Sequence, residues 1–217
     1  MGVSQDGAVI YSDDHKDGPS HATALGPMVE AAIQFTDNHA IPFDAVAVSI
    51  GPGSYTGLRI GVSTAKGVCY GRDLKLIALP TLKVLCVPVL LRHDDLPEDA
   101  LLCPMIDARR MEVYTTLYDR ALREKMPVQA KIIDETSFAE TLDSHPVYFF
   151  GNGAGKCKNV IKHPNAHFID GIVPLAKNMA PLAEMAHARE EFADVAYLEP
   201  FYLKEFVATK SKNPLLN

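Results

Sequence analysis

The stretch Ala45-Val46-Ala47-Val48-Ser49-Ile50-Gly51-Pro52-Gly53-Ser54-Tyr55-Thr56-Gly57-Leu58-Arg59-Ile60-Gly61 joins an apolar run to a glycine-punctuated segment, and its reading decides the fold class. Ala45 to Ile50 is short and almost unbroken in its apolarity, the pattern of a strand buried on both faces. Gly51-Pro52-Gly53 ends that run. Ser54 or Thr56 can cap the helix that follows, and Gly71 sits where a C-terminal cap would fall. Leu74 to Leu79 reads as a second buried strand, after which Pro80 and Thr81 open another helix. A strand, a helix and a strand in that order form a parallel pair through a crossover, so the chain is α/β.

The glycine spacing excludes three familiar sites. Gly51, Gly53 and Gly57 give G-x-G-x-x-x-G, one residue too long for a dinucleotide fingerprint, and no Lys followed by Ser or Thr closes the loop as a P-loop requires. Ser54 follows Gly53 directly, so the G-x-S-x-G turn that exposes a nucleophilic serine is also missing. A turn leading into a capped helix is the better reading.

Composition describes an ordinary globular chain. At 217 residues, 47% hydrophobic and 22% charged, it can bury one large core or two smaller ones. A net charge of -6 argues against independent nucleic-acid binding, which needs clustered Lys and Arg. No apolar run reaches membrane-spanning length and the start has no signal-peptide pattern, so a cytoplasmic location is expected. Cys69, Cys86, Cys103 and Cys157 form no C-x-x-C pair, so buried, reduced thiols are expected rather than a zinc or redox site. His163 and His167 have metal-like spacing, but Pro164 between them disfavours the helix that would put both rings on one face.

Near the start, Ala8 to Ser12 reads as a strand and Ser20 to about Asp37 as a helix containing Pro27. Beyond the helix that runs to about Leu91, the polar connector "RHDDLPED" marks a domain boundary, dividing the chain into 1–98 and 99–217. Leu101 to Asp107 and Met111 to Asp119 form a hairpin, and Val128 to Asp134 adds a third strand. A helix at Ser137 to Asp143, a strand at Val147 to Phe150, a helix at Ala154 to Ile161, a strand at His167 to Ile169 and a helix at Leu175 to Phe192 follow. Glu199 to Asn217 reads as an extended tail with Lys204, Lys210 and Lys212 solvated.

With "SIGPGSYTGLRIGVSTAKG" and "LPTL", the segments "PMIDARRMEVYTTLYD" (104–119), "GNGAG" (151–155) and "EPFYLK" (199–204) resemble the TsaB (YeaZ) family over nearly the whole chain. That family is an inactive branch of the TsaD, or glycoprotease (peptidase M22-like), proteins. The resemblance implies an actin-like ATPase fold of the ASKHA, ribonuclease H-like type, built from two related halves. It implies a scaffold role in making threonylcarbamoyladenosine in tRNA, through binding the catalytic subunit TsaD together with the ATPase TsaE. It further implies a homodimer when TsaD is absent, tRNA contact only through the complex, and no cofactor for this chain, ATP being used by the wider complex. Where TsaD-like chains carry a metal-holding histidine pair, Thr81 and Leu85 stand here, and neither a lone hydroxyl nor a leucine holds a transition metal. TsaB-like chains open on an apolar strand and a D-T-S or E-T-S triplet. Only the tail of the next strand, "VSQDGAVIYSDD", is expected here, so the first half is read as lacking that strand and its phosphate-contacting loop.

Gly57, Gly61 and Ala65 recur every four residues and therefore share a helix face that lets another backbone approach. Leu58, Ile60, Val62 and Val68 make this helix more apolar than one sheet contact needs. The resemblance implies that the first two helices carry the partner or dimer interface. The expected interface residues are Leu25, Met28, Ala32, Leu58, Ile60, Gly61, Thr64, Ala65 and Val68. An alternative is an ATP-binding phosphotransferase using Gly51, Gly53, Ser54 and Thr56 with Gly151 and Gly153 as a nucleotide or anion loop, and Asp107 as base. As a simpler reading, Asp107 is a turn residue paired with Arg109 or Arg110. The peptidase alternative lacks a nucleophile or metal set.

Overall fold

The computed structural model describes residues 1–14 and 21–204. Ser20, where the first helix was expected to begin, and the tail lysines Lys210 and Lys212 lie outside the described residues. Strands β1 (Gly2–Gln5) and β2 (Ala8–Ser12) form an antiparallel hairpin about Asp6 and Gly7, both with positive φ. The sequence reading found only one strand here. Asp-Gly between apolar-containing runs favours a two-residue turn because both central residues must adopt φ > 0. Helix α1 (His21–Asn38) follows, then β3 (Ala45–Gly51), α2 (Tyr55–Arg72), β4 (Lys75–Pro80) and α3 (Thr81–Arg92). β3 and β4 pair in parallel, as the crossover requires. Helix α2 stops one residue before Asp73, not at Gly71: Asp73 has φ 53° and its N–H donates to the Cys69 carbonyl. Aspartate tolerates this left-handed cap better than most side chains.

The second half holds β5 (Leu101–Asp107), β6 (Glu112–Tyr118), β7 (Glu124–Ile132), α4 (Ala139–Ser144), β8 (Val147–Phe150), α5 (Ala154–Cys157) and β9 (Ala166–Ile169). A 3-10 turn (Ala176–Met179) and α6 (Ala180–Ala188) complete it. Two expected helices are shorter than read. The one from Ala154 ends at Cys157, and the one expected to reach Phe192 ends at Ala188. The five strands stand in the order β7-β6-β5-β8-β9, with β5 antiparallel to β6 and parallel to β8.

Both faces of this sheet are covered. Leu101, Cys103 and Met105 point to one side with Val113, Phe149 and Leu142, while Leu102 and Ile106 point to the other with Leu82, Leu85, Cys86 and Val89 of α3. The period of two in β5 thus serves two apolar layers, which is why the strand reads as a continuous apolar run. Each fully buried aliphatic side chain stabilises the fold by about 1.5–3 kcal/mol. α3 lies on the second-half sheet, and Ala186 of α6 packs with Ile77 and Leu79 of β4.

Candidate functional site

The loop after β3 is held by short polar contacts. The Thr81 hydroxyl, at the start of α3, lies 2.6 Å from the Ser49 hydroxyl and accepts a hydrogen bond from the Gly51 N–H at 3.1 Å. Gly51 has φ 119°, and a Cβ there would stand 2.6 Å from the Phe201 carbonyl oxygen and 3.0 Å from a Leu58 methyl. Only glycine fits so strained and crowded a position. The Gly51-Pro52 peptide is cis. Ser54 caps α2, its hydroxyl accepting from the Gly57 N–H.

A second loop occupies the equivalent place after β8. Gly151 has φ 97°, and a Cβ would fall 2.3 Å from the Met105 carbonyl oxygen. The Gly153 N–H donates to that same carbonyl at 3.0 Å, and the Asn152 side-chain oxygen accepts from the Asp107 N–H. Lys156 closes the cluster. Its ammonium bonds the Asp107 carboxylate and donates to the Arg110 and Glu112 carbonyls at 2.6 and 2.7 Å. The Asp107 carboxyl is held below the usual carboxylate range, first by the Lys156 hydrogen bond and then by the Arg109 N–H. Asp107 is therefore a low-pKa turn residue. Its side-chain partner is Lys156, 49 positions away and invisible to local pattern, and its contact with Arg109 is to the backbone N–H.

The segment 199–204 connects the two loops. The Phe201 N–H donates to the Ile50 carbonyl at 2.7 Å, the Tyr202 ring lies 4.7 Å from that of Tyr55, and Lys204 pairs with Glu112. Lys204 is therefore engaged, not simply solvated. Nothing in the sequence pattern links Phe201 to Ile50; "EPFYLK" drew notice only as part of the resemblance.

Thr81 and Leu85 are both buried, the first committed to the hydrogen bonds above and the second packed under the sheet. His163 and His167 are engaged separately. The His163 Nδ1 accepts from the Asn165 N–H and its Nε2 faces Asp143, whereas His167 stacks on Tyr148. Among the described residues no three His, Cys, Asp or Glu side chains come together as a metal-holding group. All four cysteines are buried free thiols, and burial pushes the Cys103 thiol up to about 12. Among the described residues no helix is long and apolar enough to cross a membrane.

The nine residues expected at an interface divide into groups. Leu58 and Ala65 of α2 and Ala32 of α1 are buried within the chain. Leu25, Gly61, Thr64 and Val68 border a cavity beneath the two helices, while Met28 and Ile60 are half-buried outside it. The outward stripe of α2 is Thr56, Arg59, Ser63, Gly67 and Tyr70, all exposed, with Tyr70 at 87%. Much of the apolar surplus of α2 thus faces β3 and the cavity.

Known proteins resemble the chain throughout. The family model described as "TsaD: tRNA N6-adenosine threonylcarbamoyltransferase" matches residues 16–212. The tRNA threonylcarbamoyladenosine biosynthesis protein TsaB of Bacillus subtilis is 30% identical over 191 residues, covering 85% of this chain and 80% of that protein. Its namesake in Escherichia coli is 27% identical, covering 88% and 83%. The solved structure of YeaZ from Pseudomonas aeruginosa superposes with a TM-score of 0.70 at 25% identity, over 85% of this chain and 84% of that one.

Proposed function

This chain belongs to the TsaB (YeaZ) family of tRNA threonylcarbamoyladenosine biosynthesis proteins, and from that premise we propose that it serves this modification as a scaffold subunit. In this reading it binds the catalytic TsaD together with TsaE, pairs with itself when TsaD is absent, meets tRNA only through the complex, and works in the cytoplasm. The observation that carries the proposal is that Thr81, Ser54 and Asp107, the side chains placed to act at the two glycine loops, are engaged in holding the fold. Thr81 ties Ser49 and Gly51, Ser54 caps α2, and Asp107 is neutralised by Lys156. A base must be free to take a proton at a pKa near the working pH, and Asp107 has the opposite shift.

The repeated strand order supports an actin-like architecture with halves 1–98 and 99–217. β1 and β2 correspond to β6 and β7, β3 and β4 to β8 and β9, and helices fall at matching places. Docking of a partner is assigned to α1 and α2, through Met28, Ile60 and the outward stripe of α2 that ends at Tyr70. Small residues along that stripe let a partner helix come close.

The proposal is tested by reconstitution. TsaD, TsaE, tRNA and threonylcarbamoyl-adenylate are mixed with and without this chain, and modified adenosine is counted. Yield should need the chain, and Ile60→Arg should reduce yield and TsaD binding together because a buried charge is costly. Full yield without the chain, or unchanged TsaD affinity in a folded Ile60→Arg protein, would contradict it.

A further inference from the structure

The turn that joins β5 to β6 is built against local preference. Arg109 and Arg110 have φ of 69° and 50°, and among the described residues this is the only place where two successive non-glycine residues lie in the left-handed region. Glycine takes that region freely, whereas another side chain brings its Cβ too near a carbonyl oxygen. The β1–β2 hairpin meets the same demand with Asp6 and Gly7.

Such a backbone persists only where its surroundings over-determine it. The Ala108 N–H donates to the Glu112 carbonyl and the Glu112 N–H to the Arg109 carbonyl, both at 3.1 Å. Lys156 holds the Arg110 and Glu112 carbonyls at 2.6 and 2.7 Å, and the Asp107 carboxylate accepts from the Arg109 N–H at 3.0 Å. The Asn152 side-chain oxygen fixes the Asp107 N–H in turn. Three polar side chains are thus committed to a turn that two glycines would form with less help.

What the turn presents is positive charge. Both arginines are exposed, and among the described residues neither guanidinium has a hydrogen-bond or ion-pair partner. The neighbouring cations are spoken for, Lys156 by Asp107 and Lys204 by Glu112. Two unpaired guanidiniums therefore stand side by side on a chain whose net charge is -6. A carboxylate on a protein partner gains little from them at an exposed site. A nucleic-acid backbone gains more, because each phosphate neutralised releases condensed counterions and the planar guanidinium meets a phosphate in two-point contact.

We propose that Arg109 and Arg110 contact neighbouring backbone phosphates of the tRNA held by the assembled complex, and that the strained turn serves to display them. This rests on the reading of the chain as a subunit of that complex. Adjacent residues stand about 3.8 Å apart at Cα, so two long side chains reach neighbouring phosphates of one strand. Two such contacts are too few for tRNA binding by the chain alone, and they act only beside the surfaces of the partners.

The test compares the natural chain with the double variant Arg109→Gly, Arg110→Gly, each assembled with TsaD and TsaE. Affinity for tRNA is measured over a series of salt concentrations, and Tm is measured on the chain by itself. Relief of strain should raise Tm by about 3 °C. In the complex the same variant should bind tRNA about tenfold more weakly at 0.1 M salt, with the slope of log K against log salt shallower by about 1.5, the value for two lost phosphates. The pair Arg92→Gln and Arg189→Gln removes as much charge at the ends of α3 and α6 and should leave the slope unchanged. Natural tRNA affinity and slope in the glycine variant, or an equal loss in the control pair, would overturn the proposal. Weaker binding of TsaD or TsaE at an unchanged tRNA slope would overturn it in favour of an acidic protein surface, and a lower Tm would contradict the premise of strain. A natural chain that leaves TsaD unbound would overturn the scaffold reading and this inference with it, whereas an assembled glycine variant with natural tRNA affinity overturns this inference alone.

Discussion

Replacing Gly151 by alanine tests whether the loop after β8 is fixed by backbone packing. The new Cβ would stand 2.3 Å from the Met105 carbonyl oxygen and 3.2 Å from its carbon, so the obstacle is the main chain of the central strand, which has no rotamer to yield. The φ of 97° adds strain of about 1–3 kcal/mol for any side chain. Relieving the clash pulls the loop from β5 and weakens the Gly153 N–H to Met105 bond, worth about 1 kcal/mol. Together these cost about 3 kcal/mol, and at about 2–4 °C per kcal/mol for a chain of this size the Tm should fall by roughly 6–12 °C. Urea melts read by circular dichroism should show a lower midpoint with an unchanged slope. Gly155→Ala is the internal control, since its Cβ meets nothing within 4 Å and alanine is the better helix former by about 1 kcal/mol. If Gly151→Ala is as stable as Gly155→Ala, backbone packing does not dictate that glycine.

Lys156→Met should destabilise the chain by about 1–3 kcal/mol in urea melts, because it strips donors from two backbone carbonyls as well as from Asp107. Asp107 has a lowered folded pKa, so its contribution is present above the unfolded carboxylate value near 3.9 and is lost as pH falls through the depressed one. The gap in urea midpoint between the natural chain and Asp107→Asn should therefore be open at pH 7 and close in acid; a gap that widens in acid would reverse the assignment. Ellman's reagent at pH 8 should label Cys86 and Cys103 only as the chain unfolds, since burial raises both thiols, and prompt labelling of either in the native chain would contradict their burial.

The parts of the fold that were legible in the sequence are those where one physical rule acts alone. Ala45–Gly51 and Leu101–Asp107 are apolar on both faces because helices cover both sides, and such strands announce themselves as unbroken runs. The Asp6-Gly7 hairpin is legible from its turn chemistry, since Asp-Gly readily takes the positive φ that both central positions need. The ends of α2, α5 and α6 differ from those the periodicity predicts, because an apolar pattern continues past the residue at which the backbone leaves the helix. Asp73, not Gly71, takes the left-handed cap, and the residues after Cys157 and Ala188 leave the helical path. For the candidate site, sequence marked the glycine loops but not their partners. Lys156 reaches Asp107 across 49 positions and Phe201 reaches Ile50 across the whole fold, separations that carry no local periodicity. The apolar surplus of α2 was visible too. Whether it faces a partner or the chain's own interior is set by how the helix sits on β3, which periodicity alone does not fix.

The claim that this subunit supplies surface and no reacting group is tested most directly by measuring modified adenosine per assembled complex for Asp107→Ala and Ser54→Ala. TsaD occupancy would be determined in the same tubes by analytical ultracentrifugation. Yield divided by occupancy should stay at the natural value for both variants, whatever each does to assembly. A variant that binds TsaD normally while its yield per complex collapses would contradict the account and make that side chain part of the chemistry.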